Sequence, residues 1–221
     1  MTALPTPPHV HLAHPWLTVD LGSPHRIAGW PVVGPSLGNA RMVTWLQVRD
    51  CELPCSVDPD AFLLHRARMD GIPAEVGLLT AADITGHRIA RHLEAAAIVT
   101  AGLTNGESVI PGEGVRQGAP HRVGTINILA VAPVPLSERG LLEALSIVAE
   151  ARTTAILDLS LRTWDGRPVS GTGTDCIVVA SPMGSPAQDH CGLHTDWGQT
   201  LAGVAYQATW EACAQWLDGA G

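Results

Sequence analysis

The 221-residue chain is 46% hydrophobic, enough to bury the core of one large domain and to argue against disorder. Its 13 basic residues are all arginine, its 21 acidic residues outnumber them, and the net charge of −8 argues against nucleic acid or anionic membrane as partner, since both demand a basic face. Five cysteines at irregular spacing, with no apolar run near the ~20 residues that span a bilayer, read as a cytoplasmic, reduced protein rather than a disulfide scaffold or a membrane protein.

Residues 1–25 contain Pro5, Pro7, Pro8, Pro15 and Pro24, which predict an extended arm. Regular structure is expected from near Arg26, with one domain over 26–221. Ile27–Val33 and Met42–Val48 read as a hairpin closed by a Gly-Pro-Ser-Leu-Gly-Asn turn. Cys51 and Cys55 bracket Glu-Leu-Pro with no second pair at ligand spacing, so they read as ordinary thiols. Asp58 or Asp60 caps a helix through Met69 that stops at Gly71. Val76–Thr80 and Ala95–Thr100 are short strands, and 106–122 is a glycine-rich loop. Val123–Val131 is the best strand of the chain. Ser137 caps a helix of about five turns through Ile156. Trp164–Arg167 is a turn, Asp175–Ser181 a buried strand, and Asp196–Leu217 the final helix. The order predicts an α/β chain of α+β-like character: one layered domain with a mixed β-sheet and helices packed on it.

Several stretches carry chemistry. In Ser170-Gly-Thr-Gly-Thr-Asp175, Gly171 and Gly173 let backbone approach a ligand, Thr172 and Thr174 add hydroxyls, and Asp175 sits at a strand mouth where it can act as a base. A tight connection whose Thr and Asp satisfy their own loop explains the same residues equally well. In His190-Cys-Gly-Leu-His-Thr-Asp196, His194 lies just before the last helix, whose N-terminus favours a neutral imidazole that serves as general base. Thr195 or Asp196 is the expected cap. A metal on His190 and His194 is the weaker reading, because Gly192 opposes helical ligand spacing and a third ligand is missing. His190 reads as a surface residue. Thr125 and Asn127 share one strand face by the period of two and need partners in a core or a site. Asn105 follows a strand and can hold an amide or an oxyanion. Glu150 and Arg152 form either a buried pair or part of a solvated helix face.

Taken in order, Thr100-Ala-Gly-Leu-Thr-Asn105, Gly124-Thr-Ile-Asn-Ile128, Ala149-Glu-Ala-Arg-Thr153, Gly171-Thr-Gly-Thr-Asp175 and Gly192-Leu-His-Thr195 resemble the adenosylcobinamide amidohydrolase family, over residues 27 to 210 or so. Each motif is moderately specific; five in sequence are strong. The resemblance implies hydrolysis of the amide joining the corrin propionyl side chain to aminopropanol, giving adenosylcobyric acid and 1-aminopropan-2-ol in corrinoid salvage. Against that pattern the chain carries Arg152 for a lysine, Ala149 for a threonine, and Gly29-Trp30-Pro31 for a pair of serines. These departures bear on the substrate more than on the fold.

Amide hydrolysis needs a nucleophile, a proton for the leaving amine and stabilisation of the oxyanion. The expected assignment has Asp175 and His194 activating water or a threonine hydroxyl, with Thr172 and Thr174 as candidate nucleophiles. Loop amides of 171–174 with Asn105 or Asn127 hold the oxyanion. Thr125, Glu150, Arg152, Gly171, Gly173 and Thr195 complete the expected substrate site. No cofactor and no metal are expected, the partner is a small corrinoid, and self-association is left open. The rival expectations are a corrinoid carrier without catalysis and an amidase on another substrate.

Overall fold

The computed structural model describes residues 7–49, 52–53, 56–109, 124–163 and 165–219. In chain order its elements are β1 (His9–Ala13), β2 (Trp16–Gly29), β3 (Leu37–Gln47), α1 (Pro59–Asp70), β4 (Val76–Thr80), a 3₁₀ turn (Ile84–Gly86), β5 (Arg88–His92), β6 (Ala95–Ala101), β7 (Gly106–Glu107), β8 (Ile126–Val131), α2 (Glu138–Asp158), β9 (Gly171–Thr172), β10 (Cys176–Pro182) and α3 (Asp196–Gly219). Eight strands form one mixed sheet in the order β4-β3-β2-β10-β8-β6-β5, with β1 paired to β2. The β7–β9 ladder stands apart from it. This is the α+β arrangement of mixed sheet and packed helices that the sequence implies.

Regular structure begins at His9, not near Arg26. The prolines of this segment among the described residues fall where no ladder hydrogen bond is needed, which is why they do not prevent it. Pro15 lies in the β1–β2 turn, and Pro24 lies in the irregularity between Asp20 and His25 where the β2–β3 register shifts. Trp16, Leu17, Val19 and Leu21 are buried along the segment. The 27–33/42–48 hairpin exists, but its strands run earlier and Val33 leaves β2 to bridge Gly77 of β4. Strand β5 carries charged residues at the sheet border and has no apolar run to announce it. It pairs with β6 through a turn in which Leu93 adopts a positive φ of 51°. Cys51, Cys55, most of the 106–122 loop, Val123 and Trp164 lie outside the described residues.

The sheet's two faces make two cores. Ile126, Ile128, Ala130, Ile177 and Val179 pack under Leu141, Val148, Leu201 and Ala208 of α2 and α3. Leu129, Val131, Val178 and Ala180 face the other way, onto Val43, Trp45 and Leu78 of β3 and β4. Strand alternation alone divides β8 and β10 in this manner. Helix α1 covers a third, smaller cluster with Leu46 and Leu63. It starts at Asp58, whose carboxylate accepts from Asp60 N, and ends at Gly71 with φ 67°. No described helix is long and apolar enough to cross a membrane.

Parallel strands β8 and β10 flank α2 in one crossover, so both strands start at one sheet edge and end at the other. Helix α2 starts beside the strand ends: Ser137 N donates to Gln188 O, and Gln188 N to Pro135 O. It finishes beside the strand starts, where Arg152 meets Asp175. Residues 171–175 and 190–195 therefore occupy opposite edges, separated by the seven residues of β10, about 20 Å at ~3.3 Å per residue.

The end of β2 lies so close to the start of β10 that a β-carbon on Gly29 would sit 2.2 Å from Ile177 O. Gly29→Ala should therefore lower stability by about 2 kcal/mol, read as a shift of the urea midpoint at unchanged m-value. A midpoint equal to wild type would show that this approach is not tight.

Candidate active site

Asp175 sits immediately before β10, its side chain 8% exposed. Its Oδ1 accepts from Ile126 N at 3.1 Å and from the Thr172 hydroxyl. Its Oδ2 accepts from Arg152 Nη1 and from Thr172 N at 3.3 Å. The carboxylate thus ties together the start of β8, helix α2 and β9. The Arg152 side chain is 16% exposed, so the ion pair is largely out of water and much less screened than a surface pair. Gly171 is required by the same contact, because a β-carbon there would come within 2.5 Å of Arg152 Nη1.

Asn105 reaches this cluster through backbone pairing. Gly106 pairs with Thr172 and Glu107 with Gly171, which clamps the loop after β6 onto β9. Asn105 Oδ1 would lie 2.7 Å from a β-carbon on Gly124, and its Nδ2 3.8 Å from one on Gly173, so the side chain stands between the two glycine segments. Among the described residues, Asn105 Oδ1, Arg152 Nε and Thr100 Oγ1 are buried without a hydrogen-bond partner. Buried polar atoms rarely go unpaired, and two of these belong to the Asp175 cluster or its immediate border. A cleft of about 260 Å³ opens at the same edge, lined by Asp83, Ala101, Gln215 and Trp216 among others.

The remaining expected residues are distributed as follows. The Thr125 hydroxyl lies 2.7 Å from Thr174 O and 2.9 Å from Asn127 Oδ1. The shared face of Thr125 and Asn127 is therefore real, but it is used internally. Asn127 is fully buried and donates to Leu79 O at 2.8 Å, which ties β8 to the end of β4 and removes it from the oxyanion role. The Thr174 hydroxyl donates to Gly124 O at 2.8 Å. Glu150 is exposed and does not face Arg152; the partner of Arg152 is Asp175. Residues 150 and 152 lie roughly 200° apart around a helix of 3.6 residues per turn, which is why they cannot pair.

His194 is exposed at the other sheet edge. Cys191 N donates to Glu143 Oε2 at 2.6 Å, and His190 Nδ1 lies 3.7 Å from the same oxygen. Glu143 precedes Arg152 by nine residues, about 13 Å along the helix axis. The expected joint action of Asp175 and His194 is thus not available within one chain, because the β8–α2–β10 crossover sends the two loops to opposite ends. Thr195 is the cap of α3, its hydroxyl oxygen accepting from Gly198 N at 3.0 Å. Among the described residues no group of three His, Cys, Asp or Glu side chains is placed to hold a metal.

Trp30 was not singled out as a site residue from its chemistry, yet its indole Nε1–H donates to Asp175 O at 2.7 Å. A tryptophan directly after a strand-ending glycine was the available signal. Cysteine is a poor nucleophile in this environment. Burial, then the charge of Asp175, pushes the Cys176 thiol to about 11 and the Cys213 thiol to about 12. Burial, then Glu143, holds Cys191 at about 11. What remains at the Asp175 edge is a hydroxyl whose proton already points at a carboxylate, beside a guanidinium and an unpaired amide oxygen. That set can take a proton from a nucleophile, hold developing negative charge and accept an N–H.

The family model described as adenosylcobinamide amidohydrolase matches residues 2–220. The chain is 32% identical over 153 residues to a protein of Methanosarcina mazei with that name, the match covering 65% of this chain and 68% of the relative. It is 33% identical over 94 residues to an uncharacterized protein of Methanocaldococcus jannaschii, covering 42% of this chain and 36% of that one.

With Cys51 and Cys55 changed to Ser, iodoacetamide at pH 8.5 should label the folded protein at least about 100-fold more slowly than the urea-unfolded protein, since each pKa unit lowers the thiolate fraction tenfold. The raised thiol values also stabilise the fold fully below pH 9, and that stabilisation disappears as pH rises through 11 to 12. Equal labelling rates for folded and unfolded protein would contradict the assignment.

Proposed function

The chain belongs to the adenosylcobinamide amidohydrolase family, and on that premise we propose that it cleaves the amide between the corrin propionyl side chain and aminopropanol, releasing adenosylcobyric acid and 1-aminopropan-2-ol. It is an amidohydrolase; the substrate and products named here are our reading. The observation that carries the site is the Thr172 hydroxyl donating to an Asp175 carboxylate that Arg152 also engages.

In this reading Thr172 Oγ1 attacks the amide carbon as its proton passes to Asp175. The tetrahedral oxyanion is held by the positive charge of Arg152, whose Nε has no partner in the described structure. Asn105 Oδ1, likewise unpartnered, accepts the N–H of the scissile amide and fixes its orientation. When the C–N bond breaks, Asp175 returns the proton to nitrogen, and aminopropanol leaves as the amine. Water then attacks the threonine ester and gives its proton to Asp175, which passes it to Thr172 Oγ1 as the ester C–O bond breaks, so that the carboxylic acid is freed and the hydroxyl–carboxylate pair is restored. Each step uses groups from one sheet edge. Thr174 and Thr125 hold the loop in place through Gly124 O and Thr174 O, while His194 takes no part in the chemistry.

The test follows aminopropanol release from adenosylcobinamide. Wild type should turn over. Thr172→Val, close to isosteric but without the hydroxyl, should lose about 10²- to 10⁴-fold in kcat, and Thr172→Ser should recover a measurable part. His194→Ala should stay within about twofold of wild type. A Thr172→Val enzyme with normal kcat, or a His194→Ala enzyme with none, would overturn the assignment.

A further inference from the structure

Trp30 exposes its ring where its own stability gains nothing from doing so. A surface tryptophan ordinarily buries the ring and leaves the N–H for water. Here the N–H is used internally, on Asp175 O at 2.7 Å, while 45% of the residue stays exposed, so the exposed surface is the apolar ring. The main chain is fixed as well, with Trp30 N donating to Ile177 O at 3.2 Å. Leu37, 46% exposed, lies on the same β2–β3 tip opposite Ala28, and Gly29 N donates to Ser36 O across it. The tip is therefore a preformed apolar platform held at the main chain of the residue whose carboxylate faces Thr172. A platform immobilised in advance costs little ordering entropy when a ligand settles on it.

We propose that Trp30 is a substrate-contacting, specificity-determining residue whose ring face packs against the corrin macrocycle while the amide side arm reaches Thr172. This rests on the function proposed above. The Asp175 side chain is 8% exposed and enclosed by β8, α2 and β9, so a macrocycle stays outside and only its amide arm comes to the carboxylate. Trp30 supplies a flat apolar surface hydrogen-bonded to the main chain of Asp175. The indole N–H adds a second role, as a positioning contact on the Asp175 main chain.

The experiment measures kcat and KM for adenosylcobinamide, and the Kd of adenosylcobyric acid, for wild type, Trp30→Phe and Trp30→Ala. Trp30→Ala should raise KM and Kd at least tenfold. Trp30→Phe keeps a ring but loses the donor, so its Kd should stay within threefold and its kcat should fall several-fold. A folded Trp30→Ala with KM and Kd within twofold of wild type would overturn the proposal. Independently of that variant's folding, ¹⁹F spectra of wild type carrying 5-fluorotryptophan, with the Trp30 signal assigned from Trp30→Phe, should show that signal shifting saturably with adenosylcobyric acid. Shifts confined to other tryptophans would overturn it. Failure of wild type to turn over adenosylcobinamide would instead defeat the functional reading, leaving a result distinct from normal turnover with an unaffected Trp30→Ala.

Discussion

One carboxylate organises the functional edge of this protein. Asp175 accepts from the backbone of β8, from a guanidinium on α2, and from both the amide and the hydroxyl of Thr172 on β9. A charge this far from water is tolerated only when its lone pairs are met by such donors. The same donors fix where the carboxylate can point. Stability and chemistry thus depend on one set of contacts: the residue that receives a proton in the proposed reaction also holds three chain segments together.

The crossover from β8 through α2 to β10 explains the rest of the arrangement. It brings Arg152 and Asp175 to the strand starts and sends Glu143, His190 and His194 to the strand ends. Two loops that look equivalent in sequence consequently have different situations. One has two unpaired buried polar atoms beside it, Asn105 Oδ1 and Arg152 Nε, and the other is a capped helix entrance whose imidazole is open to solvent. The second ladder, β7 with β9, does for Asn105 what the crossover does for Arg152, bringing a loop residue between the Gly124 and Gly173 segments through backbone pairing.

Much of the architecture was legible because local physics dictated it. Asp58, Ser137, Gly71 and Thr195 end their helices by the hydrogen bonds their side chains or backbones permit, and short apolar runs located β6, β8 and β10. The strands before residue 26 were hidden by prolines, whose damage depends on pairing geometry that composition does not carry. Strand β5 was hidden by charged residues at an exposed edge. For the site, Asp175, Thr172, Arg152 and Asn105 were recognisable as residues, but their union was not, since it is made by long-range pairing. Asn127 shows the limit from the other direction. Its polarity on an apolar strand suggested a ligand, and its partner turned out to be Leu79 O.

The claim that amide cleavage happens at the Asp175 edge is tested most directly by a crystal structure with adenosylcobyric acid bound. The account predicts the new carboxylate of the product between Arg152, Asn105 and Thr172, with the macrocycle outside against Trp30. Product bound at the opposite edge, with its carboxylate beside His194, would contradict it.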